Sequence, residues 1–171
     1  MPMHVAIPTL QTERLRLIPP GPAADALYQR FYTDVEASAF YGGPLSPQAA
    51  WMRLAADLGC WQLQGFGVWV VQRREDDVLL GVCGFWQGRA WPRELTWWLL
   101  PAARGQGYAQ EASRAAIRHA YEHFGWDAVE TYMKDDNTAA RALVLRLGAE
   151  QVGRQRFPDG LERDLFRFPR P

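Results

Sequence analysis

Between Glu94 and Phe124 the hydrophobic spacing changes period within a few residues, and this change restricts the fold more than any other feature of the chain. Glu94-Leu-Thr-Trp-Trp-Leu-Leu100 reads as a strand, and Pro101 stops it because proline cannot donate to a ladder. Arg104-Gly-Gln-Gly107 follows as a glycine-bearing turn. Beyond it Ala109, Ala112, Ala116 and Ala120 recur at three- and four-residue steps, the spacing of one helix face, and Gly125 ends the run. Small residues on that face let a helix lie close on a sheet. The first N–H groups of a helix have no intrahelical partner and point outward. The helix dipole adds roughly half a positive charge at that end. A strand–turn–helix of this kind binds phosphate or pyrophosphate.

The flanking segments set the topology. Arg14-Leu-Arg-Leu-Ile18 alternates as a half-buried first strand. Pro22 to Asp34 and Ser46 to Leu58 read as helices, with Ser46 as N-cap and Pro47 at the first helical position. Gly67–Arg73 and Val78–Trp86 read as strands joined across Glu75-Asp-Asp77. After the alanine-faced helix come a strand at Ala128–Met133, a helix at Thr138–Leu147 and strands at Ala149–Phe157 and Arg163–Phe168. The order is β-α-α-β-β-β-α-β-α-β-β. It predicts one α+β domain over residues 1–171, with a mixed, mostly antiparallel twisted sheet of seven strands and four helices.

Three phosphate motifs compete for the turn. A P-loop needs Lys-Ser/Thr after its last glycine, but Tyr108-Ala109 follow Gly107. A dinucleotide fingerprint needs a third glycine where Gln110 stands, and the antiparallel hairpins upstream contradict a parallel start. The third pattern, Arg/Gln-x-x-Gly-x-Gly/Ala, is satisfied by Arg104, Gly107 and Ala109.

Composition narrows the class of partner. Lys plus Arg and Asp plus Glu both total 19, so no net charge draws the chain to nucleic acid or an anionic membrane. The longest apolar stretch, Val78–Trp86, is far short of the ~20 residues that span a bilayer. The first residues lack the charged and apolar regions of a secretory signal, and two cysteines, Cys60 and Cys83, make no disulfide scaffold or zinc site. The expectation is a cytoplasmic protein without a metal. His119 and His123 share a helix face but have no third ligand.

On these residues the chain resembles the GNAT superfamily of N-acetyltransferases, which move an acetyl group from acetyl-CoA to an amine. It resembles in particular the branch that includes the ribosomal-protein N-terminal acetyltransferases. Leu10-Gln-Thr-Glu-Arg-Leu-Arg-Leu17 is similar to that branch's first strand, Glu94–Ala112 to its acetyl-CoA motif, and Asn137-Thr-Ala-Ala-Arg-Ala-Leu-Val-Leu-Arg-Leu-Gly148 to its second motif. The resemblance implies that Arg104, Gly105, Gln106, Gly107, Tyr108 and Ala109 hold the pyrophosphate. It implies that Leu99 and Leu100 offer main-chain groups to the pantetheine arm. It implies that the fourth and fifth of the seven strands splay apart to admit the thioester. Asn137 matches an asparagine that bonds the pantetheine or a nearby backbone, and Arg141 is placed to reach a CoA phosphate. Homodimers are common in that branch. Val144 stands where many members carry a tyrosine that protonates the departing thiolate. A catalytically weak CoA-binding regulatory module is therefore the alternative to an enzyme.

Acetyl transfer to an amine requires a neutral amine, and an alkylammonium has a pKa near ~10, so a base must take its proton. Glu94, opening an apolar strand, is the candidate base. Tyr132 and Tyr108 are candidates to supply the proton to the thiolate. The eight tryptophans supply core and pocket wall alike, and Trp51, Trp61, Trp86 and Trp91 are the candidates to line the acceptor side. Acidic residues are sparse there, which favours a small-molecule amine or a peptide N-terminus over a polyamine.

Overall fold

The computed structural model describes residues 4–171. Its elements run β1 (Leu10–Gln11), β2 (Leu15–Ile18), α1 (Asp25–Tyr32), α2 (Pro47–Gln64), β3 (Val68–Arg73), β4 (Leu79–Trp86), β5 (Glu94–Leu99), α3 (Tyr108–Glu122), β6 (Val129–Tyr132), α4 (Thr138–Arg146), β7 (Glu150–Arg156) and β8 (Glu162–Phe168). The expected fold class stands: four helices and mostly antiparallel strands in an open α+β arrangement. The strand count is eight rather than seven. The added strand, β1, is two residues long and pairs Leu10 with Leu17, too short to show an alternation in sequence.

The strands form two ladders. One has the order β1-β2-β3-β4-β5 and the other β6-β8-β7. Between β5 and β6 no ladder forms, so the expected splay is present between the strands beginning at Glu94 and Val129. A side chain spans the gap at one level: the Thr131 hydroxyl donates to the Leu95 carbonyl at 2.8 Å.

Each face of the larger sheet buries its own cluster. Ala112, Ala116 and Ala120 of α3 are fully buried against Leu95, Leu99 and Val71. The absence of bulk at these three positions lets the helix axis approach the sheet and brings the α3 N-terminus to the end of β5. On the opposite face α1 and α2 cover Trp98, whose ring stacks on Phe31 at 3.9 Å. The Ser46 hydroxyl caps α2 by accepting from the Ala49 amide at 3.1 Å, a contact worth about 1 kcal/mol. The helix runs on past the expected end at Leu58 to Gln64, where Gly65 takes a left-handed φ of 78°. The first expected helix begins with a 3-10 turn at Pro22–Ala24.

Candidate active site

The turn between β5 and α3 has the geometry of an anion cradle. Gly105 and Gly107 have φ of 75° and 80°, conformations that L side chains rarely adopt. Two left-handed glycines on either side of Gln106 make a tight turn of the kind that gathers successive amides into a backbone nest. Among the described residues, the amides of Gly105, Gln106, Gly107, Tyr108 and Ala109 donate to no other group. The turn is braced from the residue just before β2. Arg14 donates to the Gln106 carbonyl at 2.9 Å and to Glu111 at 2.6 Å, and its guanidinium lies 4.5 Å from the Tyr108 ring centre. Glu111 also accepts from the Thr12 hydroxyl at 2.6 Å. Burial pushes the Glu111 carboxyl up, but these bonds and the Arg14 charge outweigh it and hold the group below its usual range.

The side chain of Arg104 points away from that cradle. Its Nε donates to the Leu99 carbonyl and its Nη2 to the Ala37 carbonyl, both at 3.2 Å. Its amide donates to the Pro101 carbonyl at 3.2 Å, so the free amides of the turn begin at Gly105. Tyr108 is buried beneath Arg14, at the phosphate end of the site.

Main-chain direction in β5 follows from one bond. The Leu100 amide donates to the Leu80 carbonyl at 2.9 Å, so Leu100 faces β4. Alternation then turns Leu99, Trp97 and Leu95 toward the open slot. Leu99 and Trp97 therefore turn their main-chain groups to the slot, whereas Leu100 turns its own to β4. Three side chains cap the slot-facing carbonyls: Thr131 at Leu95, the Tyr41 hydroxyl at Trp97, and Arg104 at Leu99. The amides of Trp97 and Leu99 share that direction.

At the far end of the slot stands Glu94. Burial pushes its carboxyl from 4.5 up to about 8, against the opposing pull of the Arg163 charge and the neighbouring Tyr132 hydroxyl. The Tyr132 hydroxyl gives its own proton to the Pro92 carbonyl at 3.0 Å. The Tyr132 ring packs on Phe157 at 4.3 Å and on Trp91 at 6.2 Å, and Trp91 packs edge-on to Trp86 at 5.9 Å. Arg163 lies over Trp91 and Phe157 and is held bidentately by Asp159 at 2.9 and 2.7 Å. The result is an aromatic wall with one carboxylate and one neutralised cation. Cavities of about 380 and 720 Å³ lie elsewhere, beside Tyr108 and along α3, and neither touches Glu94.

Glu94, the unpaired edge of β5 and the glycine turn follow one another along one strand and the loop after it. Residues 14–150 match the family model described as an acetyltransferase (GNAT) domain. The chain belongs to the GNAT acetyltransferase family. It is 26% identical to FsC-acetyl coenzyme A-N(2)-transacetylase of Aspergillus fumigatus, across 86% of this chain and 67% of that one. An acetyltransferase from Agrobacterium tumefaciens superposes with a TM-score of 0.87 at 28% identity, covering 99% of each chain. RimL, a ribosomal-protein alpha-N-protein acetyltransferase solved in complex with coenzyme A, shares the fold with a TM-score of 0.73 at 13% identity, over 93% of this chain and 96% of that one. The family's reaction is acetyl-CoA-dependent acetylation, and the cradle fits that donor: its open amides and left-handed glycines leave room for a diphosphate.

The other expected site residues of this acetyltransferase fall in varied places. Asn137 caps α4, accepting from the Ala140 amide at 3.2 Å. Arg141 is engaged by Asp164 at 2.5 Å and lies over Phe166, so its charge serves the β8 side of the fold. Trp86 and Trp91 stand in the aromatic wall. Trp51 is 49% exposed on α2, and among the described residues no ring packs on it. Trp61 is core, its indole N–H bonded to the Val68 carbonyl at 2.8 Å. Val144 is fully buried. Among the described residues no group of three His, Cys, Asp or Glu is arranged to hold a metal ion, and no helix is long and apolar enough to cross a membrane. Tyr41, Arg14, Glu111, Asp159 and Arg163 were not singled out as site residues. Arg14 and Glu111 had a local signal, lying inside the segments Leu10–Leu17 and Glu94–Ala112 that carry the resemblance.

Proposed function

We propose that this chain is an N-acetyltransferase that moves the acetyl group of acetyl-CoA directly to a primary amine in a ternary complex. Glu94 carries the reading: among the described residues it is the carboxylate at the slot end opposite the phosphate cradle that is held in no ion pair, Asp159 there being paired with Arg163. The diphosphate lies on the amides of Gly105 to Ala109, and the pantetheine arm runs along β5 past Leu99 and Trp97 like an added strand. The slot-facing amide of Trp97 or Leu99 donates to the thioester carbonyl as negative charge develops on its oxygen. Glu94, ionised above about 8, takes the proton from the acceptor ammonium. Trp86, Trp91, Tyr132 and Phe157 receive the apolar part of that acceptor. Asp159 cancels the charge of Arg163, so little net charge is offered to a polyamine. This favours a small amine or a peptide N-terminus. Coenzyme A, a product of every turnover, is the readout. Free thiol released from acetyl-CoA with at least one amine of a chemically varied panel supports the proposal. Tight binding without release across the panel favours a regulatory module, for which the buried Val144 is the structural argument.

A further inference from the structure

Transfer leaves coenzyme A as a thiolate, and Val144, fully buried, carries no proton to give it. Tyr108 lies at the phosphate end, under Arg14. Tyr132 stands beside Glu94 at the acceptor end, its ring packed into the acceptor wall on Phe157 and Trp91. A third phenol reaches the slot from the loop after α1. The Tyr41 hydroxyl donates to the carbonyl of Trp97, the middle one of the three that face the open edge of β5. Its ring is held edge-on by Phe31 at 5.5 Å, and Phe31 is itself stacked on Trp98. The segment bearing it is tied to the cofactor turn by Arg104, which bonds the carbonyls of both Ala37 and Leu99.

Resting on the transfer reading above, we propose that Tyr41 is the acid that protonates the coenzyme A thiolate. A pantetheine arm entering at the cradle and lying along β5 passes Leu99, then Trp97, and brings its sulfur to the Tyr41 hydroxyl before the acceptor amine at Glu94. Trp97 and Glu94 are three residues apart, ~10 Å along a strand, which leaves the acetyl group and the amine nitrogen between acid and base. Glu94 first passes the ammonium proton to solvent; the freed amine lone pair then forms the N–C bond, and Glu94 accepts the second nitrogen proton. The C–S bond then breaks with its electron pair on sulfur, and the Tyr41 O–H proton passes to sulfur. The phenolate is reprotonated from solvent, and Glu94 releases its proton to solvent, so the cycle closes. Burial raises the Tyr41 pKa, with the nearby Glu94, Tyr32 and Cys83 adding to the rise. Arg104 alone opposes it and is the charge that stabilises the transient phenolate.

Tyr41→Phe keeps the ring on Phe31 and removes the proton. It should lower kcat at neutral pH by about 100-fold, with the Kd for acetyl-CoA within a factor of two or three. With acetyl-seleno-coenzyme A, whose selenolate leaves unprotonated, the loss should shrink below tenfold. Unchanged kcat with acetyl-CoA would overturn the assignment, as would an equal loss with both donors, which marks a structural role. If Tyr41→Phe does not fold, 3-fluorotyrosine at position 41 should move the alkaline limb of kcat to lower pH, and an unmoved limb refutes the proposal. Wild-type protein that releases no thiol with any amine sinks the transfer reading itself, and Tyr41 with it. Active wild type with an equally active Tyr41→Phe sinks Tyr41 alone.

Discussion

Glu94→Gln should make the protein more stable and much less active, and the stability gain should depend on pH. The folded protein raises this carboxyl from 4.5 to about 8, chiefly by burial. Below 4.5 folded and unfolded chains are both protonated there, and the side chain costs nothing. As pH rises the unfolded chain ionises first while the folded chain keeps its proton, so stability falls between 4.5 and about 8 and levels off above. The gap sets a ceiling of about 5 kcal/mol, at about 1.4 kcal/mol per pH unit. Glu94 keeps partial contact with solvent, and screening reduces the figure to about 2 kcal/mol. For a chain of this length that is about 4–8 °C in Tm. Glutamine has the same shape and no ionisation. Calorimetry at pH 5 and pH 9 should show the variant near the wild type at the lower pH and several degrees above it at the higher. Acetyl transfer should fall by about 100-fold or more near neutral pH, less where free amine is abundant. A Tm difference that is the same at both pH values would refute the burial argument, and an unchanged rate would remove Glu94 as the base.

Two further changes test the supports of the site. Arg14→Ala removes the brace on the Gln106 carbonyl and leaves Glu111 without its cation. It should weaken acetyl-CoA binding by about five- to thirtyfold, the equivalent of ~1–2 kcal/mol, without changing the pH profile. Titration calorimetry reads this directly, and unaltered affinity would mean the cradle holds its shape alone. Arg163→Gln deletes the one cation that pulls the Glu94 carboxyl down. The acid limb of kcat should then move up by about one pH unit, and a fixed limb would show that Arg163 serves packing only.

Most of the fold could be read from the chain because each element carries its own local periodicity. The alanine stripe of α3, the Ser46-Pro47 start of α2 and the alternation of β2 are all local. β1 was missed because two residues show no period. The cradle was equally legible, since its glycines, strand and helix are contiguous. The acceptor end was not. Arg163 reads as one arginine in an alternating strand, and only the fold brings it over Trp91 and Phe157. Tyr41 sits in a Gly-Gly-Pro loop with no periodic signal, and its partner, Trp97, is 56 residues away. Arg141 shows the reverse: a local motif placed it near a phosphate, and a long-range acid, Asp164, takes its charge.

The whole account depends on a diphosphate seated on the amides between Gly105 and Ala109. Gly107→Glu puts a carboxylate and a strained left-handed side chain into that seat, where the glycine φ is 80°. Titration calorimetry of acetyl-CoA into wild type and Gly107→Glu measures the claim most directly. Saturable one-to-one binding by the wild type and none by the variant, with both folded, is the predicted result. Equal affinity in the two proteins, or no binding by the wild type, would contradict it.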